Sequence, residues 1–333
     1  MRCALAEDGG SAVSVAIAVA GREVFRGAVG FADLEQRVAA TATTRLRIGS
    51  VSKTITAVIA ARMHARGQLE LDSPIARYLP ELPTALRGIT CEQLARHTSG
   101  VRHYDFGNLA EANNTRTYQD LLETLPLFQD SPLLFAPGAG EAYSSFGYNL
   151  LGMALQRAAN RPFLELVANE ARDLGLRDTL GDHPLAVIER RARFYTRYEG
   201  QLINTIWRDS SDFYPSGGLL TTPRDLVALA LAAFESEKLA PARPLFTSSG
   251  ALASGERVDR SVGFDIERDA SDAIVRYAKG GETNGALALL TYAPARRVAI
   301  AAVSNYNVWP AKRLAFDRLA RDELPALASE LAA

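Results

Sequence analysis

The chain has 333 residues, 47% of them hydrophobic and 23% charged, and its 37 basic and 38 acidic side chains leave a net charge of −1. That balance belongs to a globular protein with ample material for a core; it excludes the strongly basic character of a nucleic-acid binder or of a protein held on an anionic membrane. The two cysteines, Cys3 and Cys91, make neither a disulfide framework nor a zinc site, and no apolar run approaches the ~18 residues of a membrane span.

Met1-Arg2-Cys3 runs into the acidic turn Glu7-Asp8-Gly9-Gly10 rather than a secretion signal. The expectation is therefore the cytoplasm, or the periplasm if an upstream leader has been removed. A β-branched and alanine-rich run over 12–19 predicts a strand, and the turn Ala20-Gly21-Arg22 leads into its hairpin partner over 23–31. A helix follows Ser50, with Ile55, Val58, Ile59 and Met63 at core spacing, and stops at Gly67. Further helices are expected over 150–159, 163–174 and 226–234. The last opens on Thr222-Pro223-Arg224-Asp225, which supplies an N-cap, a first-turn proline and an early acid. Three strands over 274–277, 286–292 and 298–304 follow, broken by glycine and Pro294 turns, and then an amphipathic helix over about 310–322. The pattern implies one α+β domain. An antiparallel sheet is built from both chain ends (about 1–75 and 245–333), a helical region (about 76–244) is inserted between them, and Ser50 lies near the seam.

The stretch Ser50-Val51-Ser52-Lys53 places a hydroxyl and an amine one helical turn apart, on the same face. A serine hydroxyl is a weak nucleophile at neutral pH and needs such a base. Only Lys53, Lys238, Lys279 and Lys312 among the 37 basic residues are lysine. Arginine cannot release its proton in a protein, whereas a desolvated lysine can. The chain thus places a titratable amine where one would be useful; an arginine bias of the whole composition, with Lys53 incidental, is the bland alternative. Tyr143 ends the tight loop that begins Pro137-Gly138-Ala139-Gly140, where a phenol can project into a cleft. Beside Lys53 and a second cation its pKa is expected to fall toward the range of a general base. Lys279-Gly280-Gly281, at the end of a predicted strand, offers positive potential and a strand edge that a substrate backbone can approach. The histidines His64, His97, His103 and His183 form no metal pattern; His97 and His103 with Asp105 are read as structural or surface residues rather than ligands. No G-x-S-x-G elbow, Walker loop or G-x-G-x-x-G is present, so neither an α/β-hydrolase nor a nucleotide cofactor is expected.

Ser50-x-x-Lys53, Tyr143-Ser144-Ser145 and Lys279-Gly280-Gly281 stand in the order and rough spacing of the three motifs of the penicillin-recognising serine hydrolases, which include class C β-lactamases, DD-peptidases and family VIII esterases. The chain resembles most the mitochondrial serine β-lactamase-like proteins and their bacterial relatives. The blocks that carry this include Gly30-Phe31-Ala32-Asp33-Leu34-Glu35, His97-Thr98-Ser99-Gly100, Ala192-Arg193-Phe194-Tyr195 and Ser216-Gly217-Gly218-Leu219. The resemblance implies a five-stranded antiparallel sheet flanked by helices, with the Ser50 helix between the sheet and an inserted all-helical region. Ser50 would be the acylated nucleophile, Lys53 its activator, Tyr143 the proton shuttle and Lys279 the source of positive potential. The backbone N–H groups of Ser50 and Glu282 would form the oxyanion hole. Ser145, Gly280 and Gly281 would meet the substrate.

Two departures bear on that substrate. β-Lactamases carry asparagine at the position of Ser145, and the mitochondrial relatives resemble His-Thr-Gly where this chain has Lys279-Gly280-Gly281. The expectation is a serine hydrolase needing no cofactor or metal, acting on a small ester or on a peptide added to the strand edge. Weak β-lactamase activity and a filament-forming scaffold are the alternatives, the latter implying a homo-oligomer.

Overall fold

The computed structural model describes residues 11–108, 111, 113–309 and 324; the helix expected over 310–322 lies outside them. Strands β1 (Val13–Val19) and β2 (Arg22–Val29) form the expected hairpin. After them come helices α1 (Ser52–Ala65), α2 (Ser145–Ala159), α3 (Phe163–Leu174) and α4 (Pro223–Glu235). Strands β3 (Asp265–Arg268), β4 (Ile274–Thr283), β5 (Ala286–Ala293) and β6 (Val298–Ser304) complete one antiparallel sheet in the order β3-β4-β5-β6-β1-β2.

Both chain ends do meet in this sheet, with Val13 opposite Ser304 and Val19 opposite Val298. It has six strands rather than five. The sixth is β3, whose sequence Asp-Ile-Glu-Arg has one apolar residue and so no alternation to read. Charges on both outer strands, Arg22, Glu23 and Arg26 on β2 and Asp265, Glu267 and Arg268 on β3, blunt the sheet edges.

The two faces of the sheet are built from different side chains. Ala16, Ala18, Ala288, Ala299 and Ala301 line the face toward the main core, and their small size lets α4 pack against β1 and β6. The opposite face carries Val13, Val15, Ile17, Leu287, Leu289 and Ile300, which gather with Leu324 in a second cluster. This alternation follows from the two-residue period of a strand.

Helix α1 is buried from Ser52 through Met63, which is why its sequence is apolar on nearly every side. It ends where expected, with Gly67 at φ +68°. Its far end is anchored by Arg62, which donates to Glu170 of α3 at 2.7 Å. Helix α2 starts at Ser145, five residues before its apolar periodicity begins, because the Ser144 hydroxyl caps it by accepting from the Gly147 N–H at 2.8 Å. The segment between α1 and β3 also carries short strands: Leu180–Gly181 and Leu219–Thr221 pair in one small sheet with Leu46–Arg47, and Tyr195–Tyr198 pairs with Gln201–Asn204. Among the described residues no helix is long and apolar enough to cross a membrane.

Candidate active site

The Ser50 turn and strand β4 are pressed together through two glycines. Gly49 has φ +48°, and a Cβ there would lie 2.6–2.7 Å from the backbone of Glu282. A Cβ on Gly281 would lie 2.0 Å from the Ile48 carbonyl oxygen and 3.0 Å from the Ser50 nitrogen. Each contact is with main chain, which cannot swing aside, so only glycine fits. Gly281→Ala is therefore expected to displace the Ser50 turn and slow Ser50 labelling by a fluorophosphonate at least about 100-fold. Gly280, where a Cβ has open space, is expected to accept alanine with an unchanged melting temperature.

Lys53 lies inside the opening turn of α1 and is wholly buried. Its Nζ donates to Ser50 Oγ at 3.1 Å, to Ser145 Oγ at 2.9 Å and to the Ser216 carbonyl at 2.7 Å. Burial, and next the charge of Lys279, hold its pKa well below the ordinary lysine value; Asp265 opposes them. The amine thus has three oriented partners, and its burial and the charge of Lys279 both weigh against its charged form.

Tyr143 donates its phenol to Ser50 Oγ at 2.6 Å. Lys53 Nζ and Lys279 Nζ lie 4.9 and 5.3 Å from its ring centroid. The two cations do not lower its pKa as the sequence suggested. Burial pushes it up to about 12, outweighing the hydrogen bonds with Ser50 and Ser145, and Asp265 adds to the rise. Both lysine nitrogens face the ring, and Lys279 is itself paired with a carboxylate, so the phenol oxygen gains little from either. At neutral pH the Tyr143 phenol therefore stays protonated.

Two histidines hold the loop that carries Tyr143. His97 Nδ1 accepts from the Ser144 N–H at 3.1 Å, and His103 Nδ1 accepts from the Ser145 N–H at 3.2 Å. Their rings flank the tyrosine, with centroids 4.5 Å and 5.2 Å from it. A ring nitrogen that accepts must be unprotonated, which fixes both rings as the Nε2–H tautomer. Burial agrees with this, taking His97 well below its usual pKa and, together with the charge of Lys53, His103 to about 4. No group of three metal-ligating side chains occurs among the described residues.

Lys279 extends from β4 beneath a group of charges. Its Nζ lies 3.5 Å from Asp265 Oδ1 on the neighbouring strand, and Arg260 pairs with both Asp265 and Glu141. β3 pairs with β4 only from Ile274 to Ala278, so among the described residues this edge of β4 carries no strand partner from Lys279 onward.

With Ser50, Lys53, Tyr143, Ser145 and Lys279 gathered at one seam, comparison with known proteins becomes informative. The family model described as Beta-lactamase matches residues 1–324. The chain belongs to the beta-lactamase family. Its relatives include the human mitochondrial serine beta-lactamase-like protein LACTB, 29% identical over 288 residues that cover 66% of this chain and 53% of that one. Esterase EstB of Burkholderia gladioli is 35% identical over 173 residues, covering 47% of this chain and 44% of the esterase. Among solved structures, a penicillin binding protein from Bacillus halodurans shares the fold with a TM-score of 0.81 at 22% identity, covering 98% of this chain and 99% of that one. The chain spans about half the length of the LACTB proteins it matches.

In this beta-lactamase-family chain the sequence-predicted residues come together, Ser145 through its contact with Lys53 and Gly281 through its contact with the Ser50 turn. The structural reading of His97 and His103 fits their hold on the Tyr143 loop, a placement the sequence did not show, and the trio Glu141, Arg260 and Asp265 was missed. The histidines had one available signal: both lie in the block from His97 to Tyr104 that already carried family likeness. The charged trio had none, since Glu141 and Arg260 are 119 residues apart.

Proposed function

We propose that the chain is a cofactor-independent serine hydrolase that forms an acyl-enzyme on Ser50, using small carboxylic esters or peptides as substrates. The observation that carries this reading is the convergence of Lys53 Nζ and Tyr143 OH on Ser50 Oγ, at 3.1 and 2.6 Å. Neutral Lys53 takes the Ser50 proton as Oγ attacks the carbonyl carbon. The developing oxyanion is met by the N–H groups of Ser50 and Glu282, whose segments the Gly49 and Gly281 contacts bring together; each such donor contributes about 3 kcal/mol in acyl transfer. Tyr143, kept protonated by burial, donates to the leaving group and is reprotonated from Lys53. Water then attacks the carbonyl of the acyl-enzyme ester; its proton passes through Tyr143 and Lys53 to Ser50 Oγ as the bond from Oγ to the acyl carbon breaks, releasing the acid and restoring both groups.

The open edge of β4 from Lys279 onward supports an extended peptide as one substrate class, and the likeness to an esterase supports esters as the other. A fluorophosphonate probe, digested and mapped by mass spectrometry, tests the reading. The expected result is one adduct, on Ser50; an unmodified Ser50 overturns it.

A β-lactam is the less suited substrate. The hydroxyl of Ser145 is engaged by Lys53, and a serine has no amide to hold an acylamide side chain. Hydrolysis of a chromogenic cephalosporin is expected to run at least about 100-fold below that of an activated ester in kcat/KM, a gap of roughly 3 kcal/mol. Parallel spectrophotometric assays measure it.

A further inference from the structure

Around Lys279 the cations lie inside and the carboxylates outside. The side chain of Lys279 is 3% exposed and that of Arg260 24%, whereas those of Asp265 and Glu141 are 39% and 35% exposed. Both positive charges are already paired. Lys279 faces Asp265 at 3.5 Å, and Arg260 is shared between Asp265 and Glu141. The group has two cations and two carboxylates, so it is neutral in sum, but solvent meets mostly its negative half. Gly280, beside Lys279, supplies no hydroxyl with which to bind an anion. A molecule arriving at this edge of β4 therefore meets a carboxylate rim and not a free ammonium.

The side of the scissile bond that meets this rim follows from Tyr143. Lys279 Nζ lies 5.3 Å from the ring whose phenol reaches Ser50, and the mechanism proposed above makes that phenol the donor to the leaving group. We infer that Asp265, with Glu141 behind it, selects substrates whose leaving group is neutral or cationic and rejects those that carry a carboxylate there. The inference rests on the acyl-enzyme reading and deepens it. It turns the site away from peptides with a free C-terminal carboxylate next to the cleaved bond. Neutral esters, internal amide positions and amine-bearing leaving groups remain. Lys279 then acts within the protein, holding Asp265 and the Tyr143 loop in place.

Three aryl esters of one acyl group test it, with 3-hydroxybenzoate, 3-hydroxybenzamide and 3-hydroxyphenyltrimethylammonium as leaving groups, each read by kcat/KM and by acylation of Ser50. The carboxylate ester is expected to fall about tenfold or more below the amide, the size of one like-charge contact at partial exposure. Asp265→Asn is expected to close most of that gap, whereas Asp265→Glu, which keeps the charge, is expected to preserve it. A merely structural role for Asp265 would not separate these two variants by the charge of the substrate. Equal rates for the three esters, a preference for the carboxylate, or an unchanged gap in Asp265→Asn overturns the inference while leaving the acyl-enzyme standing. Failure of all three esters to acylate Ser50 removes the acyl-enzyme reading, and this inference with it.

Discussion

Ser50→Ala is expected to lower ester turnover by roughly 10⁴-fold or more, because in the proposed mechanism it removes the atom that carries the acyl group and not a group that assists it. The fold should survive. Ser50 is half-buried, its turn is set by the backbone contacts of Gly49 and Gly281, and Lys53 keeps Ser145 and the Ser216 carbonyl as partners. A circular dichroism melt within a few degrees of wild type, together with loss of both turnover and probe labelling, is the expected pair of results. A Ser50→Ala protein that turns over ester at the wild-type rate would show that the chemistry lies elsewhere.

Lys53→Met is expected to reduce kcat/KM by about 10³-fold, within the range of a positioned general base. Methionine keeps much of the stem and removes the amine. Arginine, chosen at 33 of the other basic positions, would not substitute, since its guanidinium stays charged. The pH profile separates a base from a fixed charge. Activity that needs neutral Lys53 rises with pH through the lysine's pKa, and burial and Lys279 hold that pKa well below the ordinary value. The acid limb of kcat/KM should therefore lie far below pH 10.5 in the wild type and be missing from the residual activity of Lys53→Met. A profile that instead falls as pH rises through this limb would assign Lys53 the role of a required cation.

The contrast between what the sequence revealed and what it hid has a physical basis. Ser50 with Lys53, Tyr143 with Ser145, and Lys279 with its glycines each lie within a few residues at the boundary of an element, so local spacing was enough to find them. The long strands and α1 were equally legible, because one continuous apolar pattern fixes each. What stayed hidden depends on residues distant in sequence. The state of Tyr143 is set by burial under the loops of His97 and His103, and no motif encodes burial. β3 is four residues long and mostly charged, so it becomes a strand only because β4 is there to pair with it. The start of α2 rests on a single capping hydroxyl ahead of the apolar stripe.

The meeting of β1 and β6 has a consequence for how this protein is made. The Ala12 N–H donates to Asn305 Oδ1 at 2.6 Å across a sequence separation of 293 residues. A chain emerging from the ribosome N-terminus first must carry β1 and β2 as a lone hairpin, with β1 apolar on both faces, until β6 has been synthesised. Pairing over such a separation is slow, since loop closure precedes any gain from contact. The nucleophile turn leans on β4 through Gly49 and Gly281, so it too has no floor until the last fifth of the chain arrives. Synthesis cut short before β4 would release a hairpin and a set of helices with an exposed apolar seam. Such fragments expose apolar surface to aggregation, and the proposed site at Ser50 cannot form before β4 has been made.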